Sequence, residues 1–138
     1  MNRKELETII PHRDGMLLVD EIDRVGPQKA IGKYTIRGDE WFLKGHFPGN
    51  PVVPGVILCE IMAQASSIIL EDKLEGMTPF FTSMDKVRFK KIVRPGDVIE
   101  IESEVTRERD PFVFFKSVSR VKGEIVALGE FSTAILKN

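Results

Sequence analysis

The fold of this chain is decided by residues 56–74, which read VILCEIMAQASSIILEDKL. Apolar residues cover most of this segment and leave only a thin polar stripe, at steps of four, three and four residues. The stripe consists of Glu60, Gln64, Ser67 and Glu71. Because residues at this spacing share one helix face, and a helix that is apolar nearly all round is normally buried, the pattern predicts one long helix wrapped by other elements. Gly76 lies where such a helix commonly ends.

Strand-like segments flank the predicted helix on both sides. They are rich in Val, Ile, Phe and Thr and are separated by turn dipeptides such as Gly26-Pro27 and Pro95-Gly96. The expected strands are 16–25, 29–37, 79–92, 97–107, 111–122 and 124–136. A short helix that ends at Pro11 should precede them, and 38–54 should be an ordered loop with a helical turn near Trp41. The sequence therefore predicts a single α+β domain, 1–138, in which an antiparallel sheet of five or six strands holds one long helix.

Composition excludes several classes of function. The 138 residues are 42% apolar and 30% charged, with a formal net charge of −1, which gives no general reason to expect nucleic-acid binding. No signal peptide and no apolar run long enough to cross a membrane is visible. With one cysteine and two histidines at no ligand-like spacing, neither an intrachain disulfide nor a metal site is expected, and a cytoplasmic location fits.

The segment that leads into the helix, together with the helix start, carries the candidate catalytic residues. His46 lies in a stiff Gly-His-Phe-Pro-Gly stretch that would present its ring in a fixed direction, as a general base requires. Glu60 lies among apolar neighbours, where desolvation favours the protonated form that a general acid needs. The alternatives are a loop histidine bonded to a backbone carbonyl and a solvated glutamate on the polar stripe.

Two further residues extend this pair. Gln64, one turn after Glu60, is placed to hold its side chain by an i, i+4 hydrogen bond. Gly55 lies where the helix begins, and the free N–H groups there would stabilise a developing oxyanion, although a glycine required only for the turn fits the spacing equally well. Together these groups suit removal of a proton alpha to a carbonyl with loss of a beta hydroxyl.

The run from Gly45 to Gln64, GHFPGNPVVPGVILCEIMAQ, resembles the central motif of the FabZ-type (3R)-hydroxyacyl-acyl-carrier-protein dehydratases of fatty acid synthesis. Two other segments are similar to that family in the same order: IPHR at 10–13 with LLVD at 17–20, and VRFKK at 87–91 with VRPGD at 93–97. The resemblance covers nearly the whole chain. Asp14-Gly15 and Ile61 depart from the family's usual aromatic-proline pair and small alanine. Neither departure touches the proposed chemistry directly, but the bulkier Ile61 leaves local packing and chain-length preference open.

The resemblance implies a hot-dog fold, in which a sheet wraps one long helix. It implies a homodimer as the minimal active unit, often assembled into a hexamer, with the histidine and the glutamate of one site supplied by different subunits. By position, His46 is then the base, Glu60 the acid and Gly55 the amide that binds the thioester carbonyl. No cofactor is implied, because the substrate arrives on the phosphopantetheine arm of acyl carrier protein. A related dehydratase-isomerase branch uses aspartate at the acid position, so Glu60 favours the dehydratase-only branch.

A cluster of cations is the candidate docking surface for that acidic carrier. Lys86, Arg88 and Lys90 alternate along one strand, and Lys91 and Arg94 follow. Such a run is usually a solvated face, but in this family a positive patch would steer the carrier protein and hold the phosphate. We therefore take Arg88, Lys90, Lys91 and Arg94 as candidates for docking.

The remaining residues with potentially reactive side chains are expected to be structural. His12 has no evident acidic partner in the sequence, and Cys59 has no activating base, so a buried thiol is the better interpretation. One or two phenylalanines are expected to line an acyl tunnel, without the sequence selecting among them. These candidates are Phe80, Phe81, Phe112, Phe114 and Phe115. A thioesterase and a non-catalytic acyl-binding protein remain alternatives on the same scaffold.

Overall fold

The computed structural model describes residues 1–45 and 49–138, and within these ranges it contains two α-helices, three short 3₁₀ segments and six strands. The helices are α1 (Arg3–Leu6) and α2 (Gly55–Ala65), and the 3₁₀ segments are Asp14–Met16, Trp41–Leu43 and Ser67–Lys73. The strands are β1 (Glu21–Gly26), β2 (Lys29–Thr35), β3 (Met77–Phe89), β4 (Val98–Arg109), β5 (Phe112–Val121) and β6 (Glu124–Lys137). None of the described helices is long and apolar enough to span a bilayer.

All six strands form one antiparallel sheet in the order β1-β2-β4-β5-β6-β3. Helix α2 contacts β2, β4, β5 and β6, so it lies across the middle of the sheet. Ile61 and Met62, on the helix, are fully buried in this layer, together with Ile99 and Ile101 from β4. This is the expected α+β hot-dog arrangement, with the helix at the centre of the core.

The central helix is shorter than the sequence predicts. Regular α-helix ends at Ala65, and the chain continues as the 3₁₀ segment Ser67–Lys73 instead of as the same helix to residue 74. The Ser66 hydroxyl donates to the Met62 carbonyl and the Ser67 hydroxyl to the Gln64 carbonyl. Serine hydroxyls that bond to the preceding turn in this way compete with the backbone ladder, which accounts for the change in winding.

The first strand begins five residues later than predicted. Residues 17–19 are buried, but they run alongside α2 and do not belong to β1, which starts at Glu21. The backbone N–H of Leu18 donates to the side chain of Gln64, 2.8 Å away. A helix side chain thus takes the place of a neighbouring strand as the partner of this segment.

Strand β3 forms one edge of the sheet and is irregular. Its pairing with β6 shifts register between Phe81 and Ser83 and again between Asp85 and Arg88, and Lys86 has a φ of 52°. Such shifts are β-bulges, which bend an edge strand and increase its twist. The strand exposes large apolar side chains in the single chain. They are Phe80, Phe81, Met84 and Phe89.

Candidate functional site

Glu60 is held at the edge of the core by the helix that carries it. It lies in the second turn of α2, and its side chain is 22% exposed. The Gln64 side chain, one turn further along, donates from Nε2 to Glu60 Oε2 at 2.8 Å. The i, i+4 geometry that the spacing suggests is therefore present, and it fixes one oxygen of the carboxyl group.

Gln64 is itself fixed from the other side. Its side chain is buried, with 2% of the residue exposed, and Nε2 also donates to the Met16 carbonyl at 2.7 Å. Its Oε1 accepts the backbone N–H of Leu18 at 2.8 Å. Because the amide bonds to two backbone groups outside the helix, it cannot rotate without breaking those bonds, so it holds Glu60 Oε2 from one fixed direction.

The structure brings His12 to Glu60, which the sequence analysis did not expect. His12 Nε2 lies 3.3 Å from Glu60 Oε2, so the expectation that His12 has no acidic partner is wrong. The two residues are 48 positions apart, and no local spacing could reveal the contact. Only the path of residues 10–18 along α2 brings them together. Among the described residues, His12 Nδ1 is buried without a hydrogen-bond partner.

A cavity of about 160 Å³ opens beside this cluster. His12, Glu60 and Gln64 supply its charged and amide groups. The rest of the lining is mostly apolar: Ile10, Ala63, Ser66, Ser67, Leu70, Pro79, Phe80, Phe81, Phe115 and Thr133. A small apolar pocket with a carboxyl group at one side suits an acyl chain whose reactive end stays near Glu60.

The lining of the cavity shows which of the candidate phenylalanines border it, a question that the sequence did not answer. Phe80, Phe81 and Phe115 border this cavity, whereas Phe112 and Phe114 border an open groove on another part of the surface. Phe115 comes from β5 and is buried, stacked on Phe131 with ring centroids 5.6 Å apart. Phe80 and Phe81 come from the edge strand β3 and are exposed in the single chain.

Gly55 begins α2, as the sequence suggests, and it also has a packing role. The Phe89 ring lies directly over it: a Cβ atom added at Gly55 would be 2.9 Å from Phe89 Cζ. Close approach to an aromatic ring is therefore a second reason for glycine here. The sequence could not show it, because Phe89 belongs to a strand 34 residues later.

His46 lies outside the described residues. The flanking Gly45 and Gly49 have φ values of 75° and 80°, in the left-handed region that glycine adopts without strain. The role of His46 as the general base stays a prediction.

Cys59 is buried beside Glu60, with 4% of the residue exposed. Burial, and to a smaller extent the Glu60 charge, raises the pKa of its thiol above the usual value. A raised pKa reduces the thiolate fraction near neutral pH, so Cys59 is a poor nucleophile here.

The candidate docking cations are all exposed, but they differ in their partners. Lys91 pairs with the Glu124 carboxylate, and Arg94 donates to the Asn50 side chain. Among the described residues, the Arg88 side chain donates only to the carbonyl of the adjacent Val87. Within 1–45 and 49–138, neither Arg88 nor Lys90 forms a salt bridge, so these two keep their charge available to a partner. In the same ranges no cluster of three or more His, Cys, Asp or Glu side chains could hold a metal ion.

Comparison with known families and proteins agrees with this architecture. The model of the FabA-like domain matches residues 10–130. The chain is 43% identical over 137 residues to 3-hydroxyacyl-[acyl-carrier-protein] dehydratase FabZ of Clostridium perfringens, covering 98% of this chain and 99% of that protein. It is 45% identical to the protein of the same name from Caldicellulosiruptor bescii, over 97% of this chain and 98% of the relative.

Solved structures with low sequence identity share the fold. One is the dehydratase heterocomplex ApeI:P from Xenorhabdus doucetiae, with a TM-score of 0.80 and 19% identity over 96% of this chain and 91% of that one. Another is the Thermus thermophilus protein TTHA0967, a thioesterase superfamily member, with a TM-score of 0.66 and 16% identity over 79% and 81% of the two chains. The second shows that the scaffold alone does not decide the reaction.

Proposed function

The chain belongs to the FabA-like family, and from this premise we propose that it is a 3-hydroxyacyl-acyl-carrier-protein dehydratase of fatty acid synthesis. One observation at the site supports this function most directly: a buried glutamine holds the Glu60 carboxyl group beside an apolar cavity. The reaction converts a (3R)-hydroxyacyl thioester to the trans-2-enoyl thioester and water. A hydroxyl group and a proton are lost from adjacent carbons, so the balance needs no oxidant or reductant.

We propose that Glu60 is the general acid of this reaction and His46 the general base. His46 takes the alpha proton, and the electron pair forms the double bond as the beta C–O bond breaks. Glu60 gives its proton to the departing hydroxyl, which leaves as water. Proton transfer by positioned groups of this kind contributes on the order of 10²- to 10⁴-fold to rate.

The first N–H groups of α2 provide a place for the thioester carbonyl. We propose that the Gly55 amide donates to this oxygen, because N–H groups of the first helical turn have no acceptor within the helix and point towards developing negative charge. The Phe89 ring over Gly55 would then border the path of the phosphopantetheine arm. This arrangement places carbonyl binding at one end of α2 and acid catalysis one turn later.

We further propose that the working unit is a homodimer, assembled into hexamers, that receives its substrate from acyl carrier protein in the cytoplasm. Support comes from the edge strand β3, which exposes Phe80, Phe81 and Phe89, large apolar side chains of the kind that self-association buries. Phe80 and Phe81 also line the cavity, so a second subunit at this edge would help to close it. In such a dimer His46 of one subunit would act with Glu60 of the other.

A thioester assay separates the candidate reactions. With a 3-hydroxybutyryl or crotonyl thioester, a dehydratase changes the enoyl absorbance reversibly and releases no thiol. A thioesterase, the alternative that the same scaffold leaves open, releases free thiol. Thiol release without any change in enoyl absorbance would reject the proposal, and no change of either kind would indicate an acyl-binding protein.

The shared site can be tested with two inactive variants. His46→Ala and Glu60→Gln should each lower kcat by at least about 100-fold, because each removes a proton-transfer group, while circular dichroism and thermal unfolding stay close to wild type. Mixing the two after subunit exchange should restore activity, since each mixed dimer contains one intact site and one site with both substitutions. Exchange verified by mass spectrometry without any recovery would contradict a site built from two subunits.

A further inference from the structure

His12 and Gln64 approach the same oxygen of Glu60. Gln64 Nε2 donates to Oε2 at 2.8 Å, and His12 Nε2 lies 3.3 Å from that atom. Both contacts that the described residues make with this carboxyl group therefore go to Oε2. The His12 contact is longer than an ordinary N–H···O hydrogen bond and is not aligned as one; contacts in active sites often tighten only when charge develops.

The buried side of the His12 ring indicates where its hydrogen lies. Nδ1 is buried and has no partner among the residues that the structure describes, so a hydrogen on Nδ1 would be an unsatisfied donor. A buried donor without a partner is unfavourable, because it loses its hydrogen bond to water and gains none in the protein. A hydrogen on Nε2 instead has an acceptor within reach, because Glu60 Oε2 lies 3.3 Å from Nε2. The tautomer with Nε2–H is therefore the favoured one for the neutral ring.

The backbone around His12 is held in place, so the ring is not free to drift. The Arg13 guanidinium donates to the carbonyls of Ile10 and His12 and, through its other terminal nitrogen, to the carbonyl of Glu7. These bonds tie the loop before the first 3₁₀ segment to the end of the N-terminal helical turn. The His12 side chain is 26% exposed and reaches inward from this fixed loop to the cavity.

We propose that His12 is a positioning residue which, together with Gln64, holds Glu60 Oε2 as an acceptor and so places the transferable proton on Oε1. An oxygen that already accepts from two donors has no geometry left for a hydroxyl hydrogen, so the acid proton belongs on the other oxygen. When that proton leaves, His12 Nε2–H also stabilises the carboxylate that forms. This inference rests on the proposed role of Glu60 as the acid.

Two matched substitutions test the role of the Nε2 hydrogen. Glutamine places an amide N–H the same number of bonds from Cβ as His12 Nε2, whereas asparagine reaches only the position of Nδ1. We expect His12→Gln to retain most of the wild-type kcat and His12→Asn to lose about 10- to 100-fold, with KM changed less than about threefold in both. His12→Leu, which fills the space without a donor, should resemble His12→Asn.

The comparison of glutamine with asparagine keeps the test independent of folding. A purely structural role would affect unfolding temperature and KM, and both variants would be impaired to a similar extent. Equal kcat values for His12→Gln and His12→Asn, or a wild-type kcat for His12→Leu, would overturn the inference.

Failure of the proposed function can be distinguished from failure of the positioning role of His12. If the wild-type protein has no dehydratase activity, the inference is judged by crystal structures of the two variants. Glu60 should keep its contact with Gln64 in His12→Gln and adopt another rotamer in His12→Asn. The same Glu60 position in both would reject the positioning role.

Discussion

Gln64 uses all the hydrogen-bonding capacity that its amide nitrogen offers, and it does so inside the core. Both Nε2 hydrogens are donated, to the Met16 carbonyl and to Glu60, while Oε1 accepts the Leu18 N–H. One side chain thus satisfies two backbone groups of the segment before β1 and also orients the proposed acid. Stability and catalysis are coupled at this residue, because the bonds that fix the segment also fix Glu60.

Gln64→Met should show this coupling. Methionine has a similar length but cannot bond to Leu18 or Met16, so the buried Leu18 N–H loses its acceptor and the Met16 carbonyl loses a donor. Leaving the buried N–H unsatisfied should lower the free energy of unfolding by about 1–3 kcal/mol, measured by urea denaturation. The kcat should fall as well, because Glu60 loses its main donor.

Gln28 offers a matched control for that substitution. It is exposed in the turn between β1 and β2, so Gln28→Met should change stability by less than about 0.5 kcal/mol. A Gln64→Met variant as stable and as active as the control would show that these hydrogen bonds do not hold the site.

The residues of the site divide into those that local spacing reveals and those that it does not. Glu60 and Gln64 are four apart on one helix, and the sequence is sufficient to bring them together. His12 reaches Glu60 only because the chain before β1 lies along α2, a tertiary contact without any local signal. The Phe89 ring over Gly55 is hidden from the sequence for the same reason.

At the scale of elements, the contact between β2 and the end of α2 is unusually close. A Cβ atom added to Gly32 would lie 2.9 Å from the Cβ of Ala65. Two small residues therefore let the sheet approach the helix just before the 3₁₀ segment. This approach helps to set the depth at which the α2 side chains, including Gln64, are buried.

Gly32→Ala should destabilise the protein by about 1–3 kcal/mol, because the added methyl group must push the helix away from the sheet. Gly26→Ala is the matched control in the neighbouring strand, since its Cβ would have only Lys29 Cβ as a neighbour, at 3.9 Å. The measurement is thermal or urea unfolding of both variants. A Gly32→Ala variant as stable as Gly26→Ala would indicate that the helix shifts without cost.

The sequence predicts the elements better than their ends. Strands 79–92, 97–107, 111–122 and 124–136 correspond to β3–β6 within three residues at each end, because β-branched and aromatic residues and turn dipeptides mark them clearly. The helix end was wrong, since hydrophobic periodicity does not distinguish α-helix from 3₁₀ winding. The first strand was wrong at its start, because an apolar segment packs equally well against a helix or in a sheet.

At the scale of the whole molecule, the charges near the end of β3 are unevenly neutralised. Lys86 lies 3.6 Å from Glu130, and Lys91 pairs with Glu124, whereas Lys90 is exposed and, in the part of the chain that the structure describes, forms no salt bridge. The proposed carrier protein is acidic, so an unpaired cation beside the path to Gly55 would contribute most to its attraction.

Lys90→Glu should raise KM for an acyl-carrier-protein substrate by about threefold or more, and less at high salt, because the interaction is between exposed charges. KM for a small pantetheine thioester should not change. Lys4→Glu is the control, since Lys4 is exposed on α1, which contacts β1 at the opposite edge of the sheet. If Lys90→Glu raised KM equally for both substrates, Lys90 would have no specific role in docking the carrier protein.

The two bulges of β3 have a consequence for how the chain can associate. An exposed edge with aromatic side chains would, if straight, accept one added strand after another and grow into an open-ended aggregate. The register shifts after Phe81 and after Asp85 leave only short straight stretches of backbone with which a further strand could pair. In the proposed dimer a second copy related by twofold symmetry would cover this edge, and growth would then stop, because each edge would be used to cover the other.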